Sequence, residues 1–293
     1  MKILLLGKNG QLGWELQRSL APVGEVVALG SDSVNPCGNL ANLTGIRETI
    51  RATAPDIIVN AAAYTAVDQA ESEREKAALI NAKAPAALAQ EARLSGALLV
   101  HYSTDYVFDG SGNTPWQETD SPAPVNFYGA TKLDGEKAIQ ASGCRYYIFR
   151  TSWVYAARGN NFVKTILRLA KERDSLRIVN DQIGAPTGAE LLADITAHIL
   201  RSRPEACGLY HLSASGETSW YDYARFVLDY ARQAGVNLKV SEEAVTAIPS
   251  SDFQLPAKRP LNSRLDTGKF TQTFGLHLPD WQSGVEQMLA EIL

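Results

Sequence analysis

The chain has 293 residues, of which 45% are hydrophobic and 20% charged. That composition sustains an extensive apolar core and excludes a disordered or low-complexity protein. The formal charge of -4, with Lys and Arg dispersed along the chain, gives nucleic acid no basic stripe to bind. Cys37, Cys144 and Cys207 are odd in number, far apart and without histidines at ligand spacing. They exclude a disulfide framework or a zinc site and fit a reducing, cytoplasmic setting. The apolar run before Lys8 is too short for a signal peptide, and no stretch has the length of a transmembrane helix.

Short apolar runs at 3–6, 26–29, 57–63, 97–102 and 146–151 read as strands buried on both faces. Helical patterns at 11–20, 44–54, 74–94 and 126–142 lie between them. The alternation predicts an α/β fold with a doubly wound parallel sheet. Beyond it, 160–172 and 188–201 read as helices, 209–213 as a strand and 220–234 as an amphipathic helix. Pro249, Pro256 and Pro260 mark an irregular segment before a final helix from Asp280. No repeat or low-complexity linker divides the chain. The expected division is a dinucleotide-binding domain at 1–172 plus about 186–213, with a smaller α/β substrate domain at about 173–185 plus 214–293.

Directly after the first predicted strand, Gly7, Gly10 and Gly13 form a GxxGxxG spacing that opens a helix. Glycines there allow a sharp turn, close backbone approach to a pyrophosphate, and tight helix-to-strand packing. The helix N-terminus adds free N–H groups for the anion. A NAD enzyme usually offers an acid to the adenosine ribose roughly 20 residues on. Here the second strand ends at Gly30, with Asp32 slightly late. No carboxylate stands at the tip and no Arg is placed for a 2′-phosphate, so dual use of NADH and NADPH is expected. Small residues after the third strand, Ala61 to Ala63, leave room for a cofactor over the crevice.

The fourth strand runs into Thr104 and Asp105, and Tyr128 and Lys132 stand at i and i+4 on a later helix. That spacing puts phenol and ammonium on one helix face. A free phenol has a pKa of about 10; a nearby ammonium is expected to lower it. With the Thr104 hydroxyl sharing the hydrogen bond, the set makes an acid/base for carbonyl reduction.

These motifs resemble the extended short-chain dehydrogenase/reductase family, in the branch of dTDP-4-dehydrorhamnose reductases. The blocks GKNGQLGWELQ (7–17), PDIIVNAAAYTAVDQAE (55–71), STDYVFDG (103–110) and YGATKLDGEKA (128–138) carry the resemblance. RTSWVY (150–155), GNNFVKT (159–165), NDQIGAPTGAELLAD (180–194) and KRPLNSRLD (258–266) extend it through the chain. The resemblance implies a Rossmann-type sheet and hydride transfer from NADPH or NADH to C4 of a dTDP-linked 4-dehydro-β-L-rhamnose. It makes Tyr128 the proton donor, Lys132 the ribose-binding residue that tunes it, and Thr104 the orienting hydroxyl. Gly7, Gly10, Gln11, Leu12, Gly13, Gly30, Asn39, Leu40, Ala63, Tyr64 and Thr65 fall at cofactor positions. Gly30 and Asn39 both depart from the family's acidic preference. Asp105 and Trp153 match substrate positions. The resemblance further implies a homodimer bridged by Mg²⁺ through Glu15, Glu190 and Glu291, and a supply of rhamnose for lipopolysaccharide. Two alternatives share the fold: a reductase of another nucleotide-linked 4-keto-6-deoxy sugar, and a non-catalytic regulatory subunit like the β subunit of methionine adenosyltransferase.

Overall fold

The computed structural model describes residues 1–202 and 205–293. In chain order it begins β1 (Lys2–Leu6), α1 (Gln11–Leu20), β2 (Glu25–Leu29), α2 (Leu43–Thr53) and β3 (Ile57–Asn60). There follow α3 (Val67–Ala70), α4 (Arg74–Ala78), a π-helical turn (Leu79–Lys83), α5 (Ala84–Ser95) and β4 (Leu98–Thr104). Next come α6 (Phe127–Ala141), β5 (Arg145–Thr151), β6 (Val154–Tyr155), α7 (Phe162–Glu172), β7 (Leu176–Val179), β8 (Ile183–Gly184) and β9 (Thr187–Gly188). The rest are α8 (Ala189–Ser202), β10 (Gly208–His211), β11 (Thr218–Ser219), α9 (Trp220–Gln233), β12 (Val245–Ile248), α10 (Gly268–Phe274) and α11 (Trp281–Ile292).

The central sheet has the order β10-β5-β4-β3-β1-β2, with every neighbouring pair parallel. Alternation along β1 explains its continuous apolar run. Ile3 and Leu5 pack with Leu16, Leu192 and Phe270 on one face; Leu4 and Leu6 pack with Ile46, Ile50 and Leu88 on the other. Each such side chain contributes about 1.5–3 kcal/mol by leaving water. The chain passes from β1 outward to β2, then returns across β1 to β3. The reversal opens a crevice at the carboxyl ends of β1 and β3, where such sheets bind ligands.

A second cluster unites α7, α9 and α11 through Val163, Leu167, Tyr223, Val227, Val285 and Leu289. Ile166, Ala170 and Leu228 continue it onto β7 and β12, which pair in parallel. Thus α7 buries its apolar stripe against α9.

The parallel pair of β7 and β12 lies where no strand was expected, and two elements of the first half differ from the sequence-based expectation. The strand expected over 57–63 ends at Asn60, and Ala61 to Ala63 leave the sheet to border the crevice. The helix expected over 74–94 is interrupted by the π turn. Pro85 is the cause: it has no N–H to give the carbonyl four residues back, that of Asn81, so the helix widens there.

Candidate active site

The first strand-to-helix turn fits a dinucleotide by what it leaves open. Gly7 has φ +92°, and a Cβ there would stand 2.7 Å from the Ala62 nitrogen. A Cβ at Gly13 would stand 2.0 Å from the Gly7 carbonyl oxygen, so only glycine lets α1 approach β1. Gly10 caps α1 with no side chain bonded to its first turn. These N–H groups therefore face the crevice as an anion cradle. Gln11, Leu12 and Gly13 form that first turn, with Ala63, Tyr64 and Thr65 following the strand on the other side of the switch point. Gly30 directly follows β2. Asn39 is exposed, with its side chain accepting from the Ala41 N–H at 3.0 Å, while Leu40 is buried in the core beside α2.

The loop after β3 is tied to the chemical end by a residue the sequence reading passed over. Asn81, in the π turn, accepts from the Tyr64 N–H at 2.8 Å and donates to the Tyr64 carbonyl at 3.0 Å. It also donates to Thr131 Oγ1 at 3.2 Å, and Thr131 donates to the Tyr128 carbonyl at 2.8 Å. Gly135 lets α6 close on this turn, since a Cβ there would lie 2.3 Å from the Asn81 carbonyl oxygen. The signal in the sequence is Asn81 itself, an amide amid apolar helix residues, four places before a proline.

Helix α6 starts where two side chains anchor it. Asn126 Oδ1 accepts from the Gly129 N–H at 2.8 Å, and Glu71 Oε1 accepts from the Phe127 N–H at 2.7 Å. Tyr128 and Lys132 then share a face, as their spacing predicts. The Thr104 hydroxyl faces the Tyr128 phenol, and the Tyr106 ring packs edge-on against it at 5.8 Å. Thr104 Oγ1 donates to Asp105 Oδ1 at 3.0 Å and accepts from the Tyr106 N–H at 3.1 Å. Burial raises the Asp105 carboxyl to about 6, against lowering hydrogen bonds from Ser263 and Thr104. Among the described residues its buried Oδ2 has no hydrogen-bond partner, an acceptor left to be satisfied. Ser263 arrives with the 258–266 block, which Arg259 fastens to Asp68 through two bonds of 2.9 and 2.8 Å.

Burial raises the Tyr128 phenol above its ordinary range, with Thr104 opposing and the Asp105 charge adding to the rise. The Lys132 ammonium is directed away from the phenol. Its Nζ donates to the Tyr102 carbonyl at 2.6 Å and stands 3.3 Å from His101 Nε2. Burial lowers Lys132 to about 8, and the Glu136 charge opposes that fall. Burial, then the Lys132 charge, holds His101 neutral, well below the usual imidazole range. Glu136 is itself clasped by Arg150, with contacts of 3.0, 3.2 and 2.7 Å. His101, Glu136 and Arg150 are each at most 3% exposed.

Trp153 has φ +47°, uncommon for a bulky residue. Its ring stacks on Trp220 at 3.6 Å, and Trp220 Nε1 donates to Gln182 Oε1 at 3.2 Å. Such backbone strain is held in place by surrounding contacts and clusters at functional sites.

The three carboxylates expected to hold metal do meet, away from the crevice. Glu15, Glu190 and Glu291 line one pocket of about 300 Å³ with Asp194 and Trp281. Burial raises Glu15, and Glu190 and Glu291 add to the rise against Arg18. Arg18 already supplies a cation there, 3.6 Å from Glu15, 3.4 Å from Glu190 and 3.0 Å from Asp194. Among the described residues no group of three His, Cys, Asp or Glu side chains has the arrangement to hold a metal ion. The carboxylates of one chain alone therefore do not fit Mg²⁺. Among the described residues no helix is long and apolar enough to cross a membrane.

Residues 1–293 match the family described as RmlD substrate binding domain. The dTDP-4-dehydrorhamnose reductase of Escherichia coli K12 is 58% identical over 295 residues, spanning 100% of this chain and 98% of that protein. The enzyme of the same name from Burkholderia thailandensis is 46% identical, spanning 100% of this chain and 99% of its own. Among solved structures, dTDP-4-dehydrorhamnose reductase from Bacillus anthracis in complex with NADP is 36% identical with a TM-score of 0.90, covering 99% of each chain.

Proposed function

Because the chain belongs over its whole length to the RmlD substrate binding domain family, we propose that it reduces the C4 ketone of dTDP-4-dehydro-β-L-rhamnose to dTDP-L-rhamnose. The observation that carries this reading is the Tyr128 phenol set against Thr104, on one helix face with Lys132, beside the crevice that the glycine turn opens. Reduced nicotinamide, NADPH or NADH, supplies the hydride when bound. Every proton and orientation step then falls to side chains of this chain. Tyr128 holds a proton at neutral pH and gives it to the ketone oxygen as that oxygen becomes an alkoxide. Thr104 fixes the phenol's direction through its bonds to Asp105 and Tyr106. Lys132 binds the nicotinamide ribose, a role for which its Nζ must turn from the Tyr102 carbonyl. Asp105 takes a sugar hydroxyl on its unpartnered Oδ2, and Trp153 walls the sugar.

The dinucleotide is assigned to 1–172 with about 186–213, and the sugar nucleotide to about 173–185 with 214–293. In this division α7 is the shared element, reached from the sheet but packed on α9. The cofactor contacts are Gly7, Gly10, Gln11, Leu12, Gly13, Gly30, Asn39, Leu40, Ala63, Tyr64 and Thr65. The pocket of Glu15, Glu190 and Glu291 is assigned to a homodimer interface, where Mg²⁺ would need oxygen ligands from both copies. Persistence of a dimer in EDTA at low protein concentration would remove the ion from the reading. A cytoplasmic, lipopolysaccharide-supplying enzyme is the setting that fits.

The direct test is NADPH oxidation, followed by absorbance, with dTDP-4-dehydro-L-rhamnose generated in situ, then repeated with NADH. Oxidation coupled to dTDP-L-rhamnose is the expected result. Cofactor binding without turnover would overturn it in favour of another keto sugar or a regulatory subunit.

A further inference from the structure

The tip of β2 lacks the acid that reads an adenosine ribose, yet the space of that acid is filled. A Cβ built on Gly30 would stand 2.4 Å from Asp32 Oδ1 and 2.6 Å from Asn9 Nδ2. Both atoms therefore occupy the volume in which a side chain at position 30 would begin. The chain reaches this arrangement by a tight turn. The Gly30 N–H donates to Ser33 Oγ at 3.1 Å, and the Ser33 N–H donates to the Gly30 carbonyl at 3.0 Å. The turn brings Asp32 back over the glycine. Asn9 then pins it, donating from Nδ2 to Asp32 Oδ1 at 3.1 Å. Asn9 belongs to the glycine-rich turn before α1, so this bond ties the strand tip to the phosphate cradle.

We propose that Asp32 is the cofactor-discriminating residue of this chain: a carboxylate moved two places along the sequence and folded back into the place of a strand-tip acid. The inference rests on the NAD(P)H-dependent reading above and deepens it. Asn9 uses one carboxylate oxygen and leaves the other to accept from an adenosine ribose hydroxyl, the contact that marks NAD recognition in this fold. A 2′-phosphate at the same place would meet a like charge. Glycine at position 30 is then a requirement, since any side chain there would expel the carboxylate. Both cofactors still serve, and NADH is the one bound more tightly.

The test is equilibrium binding, read by nicotinamide fluorescence on the whole chain without sugar substrate, with NADH and NADPH in parallel. Asp32→Asn keeps the shape and an acceptor for Asn9 while removing the charge. The expected result is tighter binding of NADH by the parent chain. In the variant the ratio of NADPH to NADH dissociation constants should fall roughly tenfold, the scale of charge repulsion across a few ångströms of water. Asn9→Ser, which frees the carboxylate, should move the ratio the same way by less. The parent chain's discrimination should shrink at about 1 M salt, where screening reaches about 3 Å. An unchanged ratio in Asp32→Asn, with both cofactors still bound, overturns the assignment of Asp32 and leaves the reductase reading standing. Failure of the parent chain to bind either cofactor overturns both.

Discussion

Replacing Glu136 by Gln separates two jobs that one carboxylate performs. Glu136 and Arg150 form an ion pair whose side chains are 1% and 4% exposed, with a shortest contact of 2.7 Å. Removing the negative charge strands a buried guanidinium, which keeps His211 at 3.5 Å and the Phe108 ring at 5.0 Å. Breaking such a pair from one side costs on the order of 3–5 kcal/mol. For a chain of this size that lowers Tm by roughly 10 °C. The second effect is electrostatic. Lys132 is held at about 8 by burial, with Glu136 resisting the fall. Without the carboxylate Lys132 drops further, so its ammonium is lost at a lower pH. The alkaline limb of the kcat/KM profile should move down with it, because the proposed ribose contact needs the ammonium. The assay pairs thermal unfolding with pH–rate profiles for the Gln and Asp variants. Asp retains the charge and should restore the limb even where its shorter reach leaves Tm low. A Gln variant that loses stability but keeps the parent alkaline limb would refute the coupling between Glu136 and Lys132.

Three further outcomes follow from the same site. Tyr128→Phe should lower kcat at least 100-fold, within the range for losing an acid catalyst, with dissociation constants for NADH and NADPH nearly unchanged; retained turnover would rule the phenol out. Lys132→Met should abolish turnover yet raise stability near pH 7. The folded-state pKa of about 8 lies below the ordinary 10.5, so the unfolded chain holds this proton more tightly. The penalty, about 3 kcal/mol, is fully present below pH 8 and fades toward 10.5; a Met variant less stable at pH 7 would contradict it. On acidification the buried imidazole of His211, lowered to about 3 chiefly by burial, binds no proton while the unfolded chain does. Stability is then lost below about pH 6.5, and His211→Gln should lessen the loss by about 1.4 kcal/mol per pH unit. Asp105, raised to about 6 from 3.8, acts oppositely between those values, so Asp105→Asn should steepen the loss; denaturant midpoints from pH 6.5 to 4 check both signs.

What was legible in the sequence is what the backbone resolves locally. Gly7, Gly10 and Gly13 lie within one turn, and Tyr128 and Lys132 within one turn of α6, so spacing alone put each set together. The partners that act on them arrive from far along the chain. Ser263 reaches Asp105 from the last quarter of the sequence, and Asn81 braces Tyr64 and Thr131 from a π turn that helical periodicity smooths over. Trp220 meets Trp153 where β11 pairs with β8, far along the chain from Trp153. Periodicity reports which face is buried but not which distant polar group faces it. Lys132 Nζ turns to the Tyr102 carbonyl for the same reason, since i, i+4 spacing places two groups on one face without fixing where an ammonium on a long stem points.

The buried polar groups around Lys132 explain that direction. Asn60 Oδ1 accepts from the Ala62 N–H at 3.2 Å, which turns its Nδ2 toward His101 Nδ1 at 3.0 Å. That ring nitrogen must then be the acceptor, so the imidazole proton sits on Nε2, facing Lys132 Nζ at 3.3 Å. A ring N–H directed at an ammonium is repulsive; directed at a neutral amine it is a hydrogen bond. The loop that borders the cofactor crevice thus selects, through Asn60 and His101, the neutral form of the lysine, while Glu136 favours the charged one. In the proposed complex, where a ribose hydroxyl replaces the Tyr102 carbonyl as its partner, a lysine between two such neighbours would change protonation at little cost. Asn60→Asp tests the tautomer directly. The added carboxylate would accept from Nδ1–H, leave Nε2 as an acceptor and raise the Lys132 pKa. Nitrogen-15 shifts of the His101 ring in the cofactor-free protein should then exchange their protonated and bare signatures. Identical ring shifts in parent and variant would defeat the assignment.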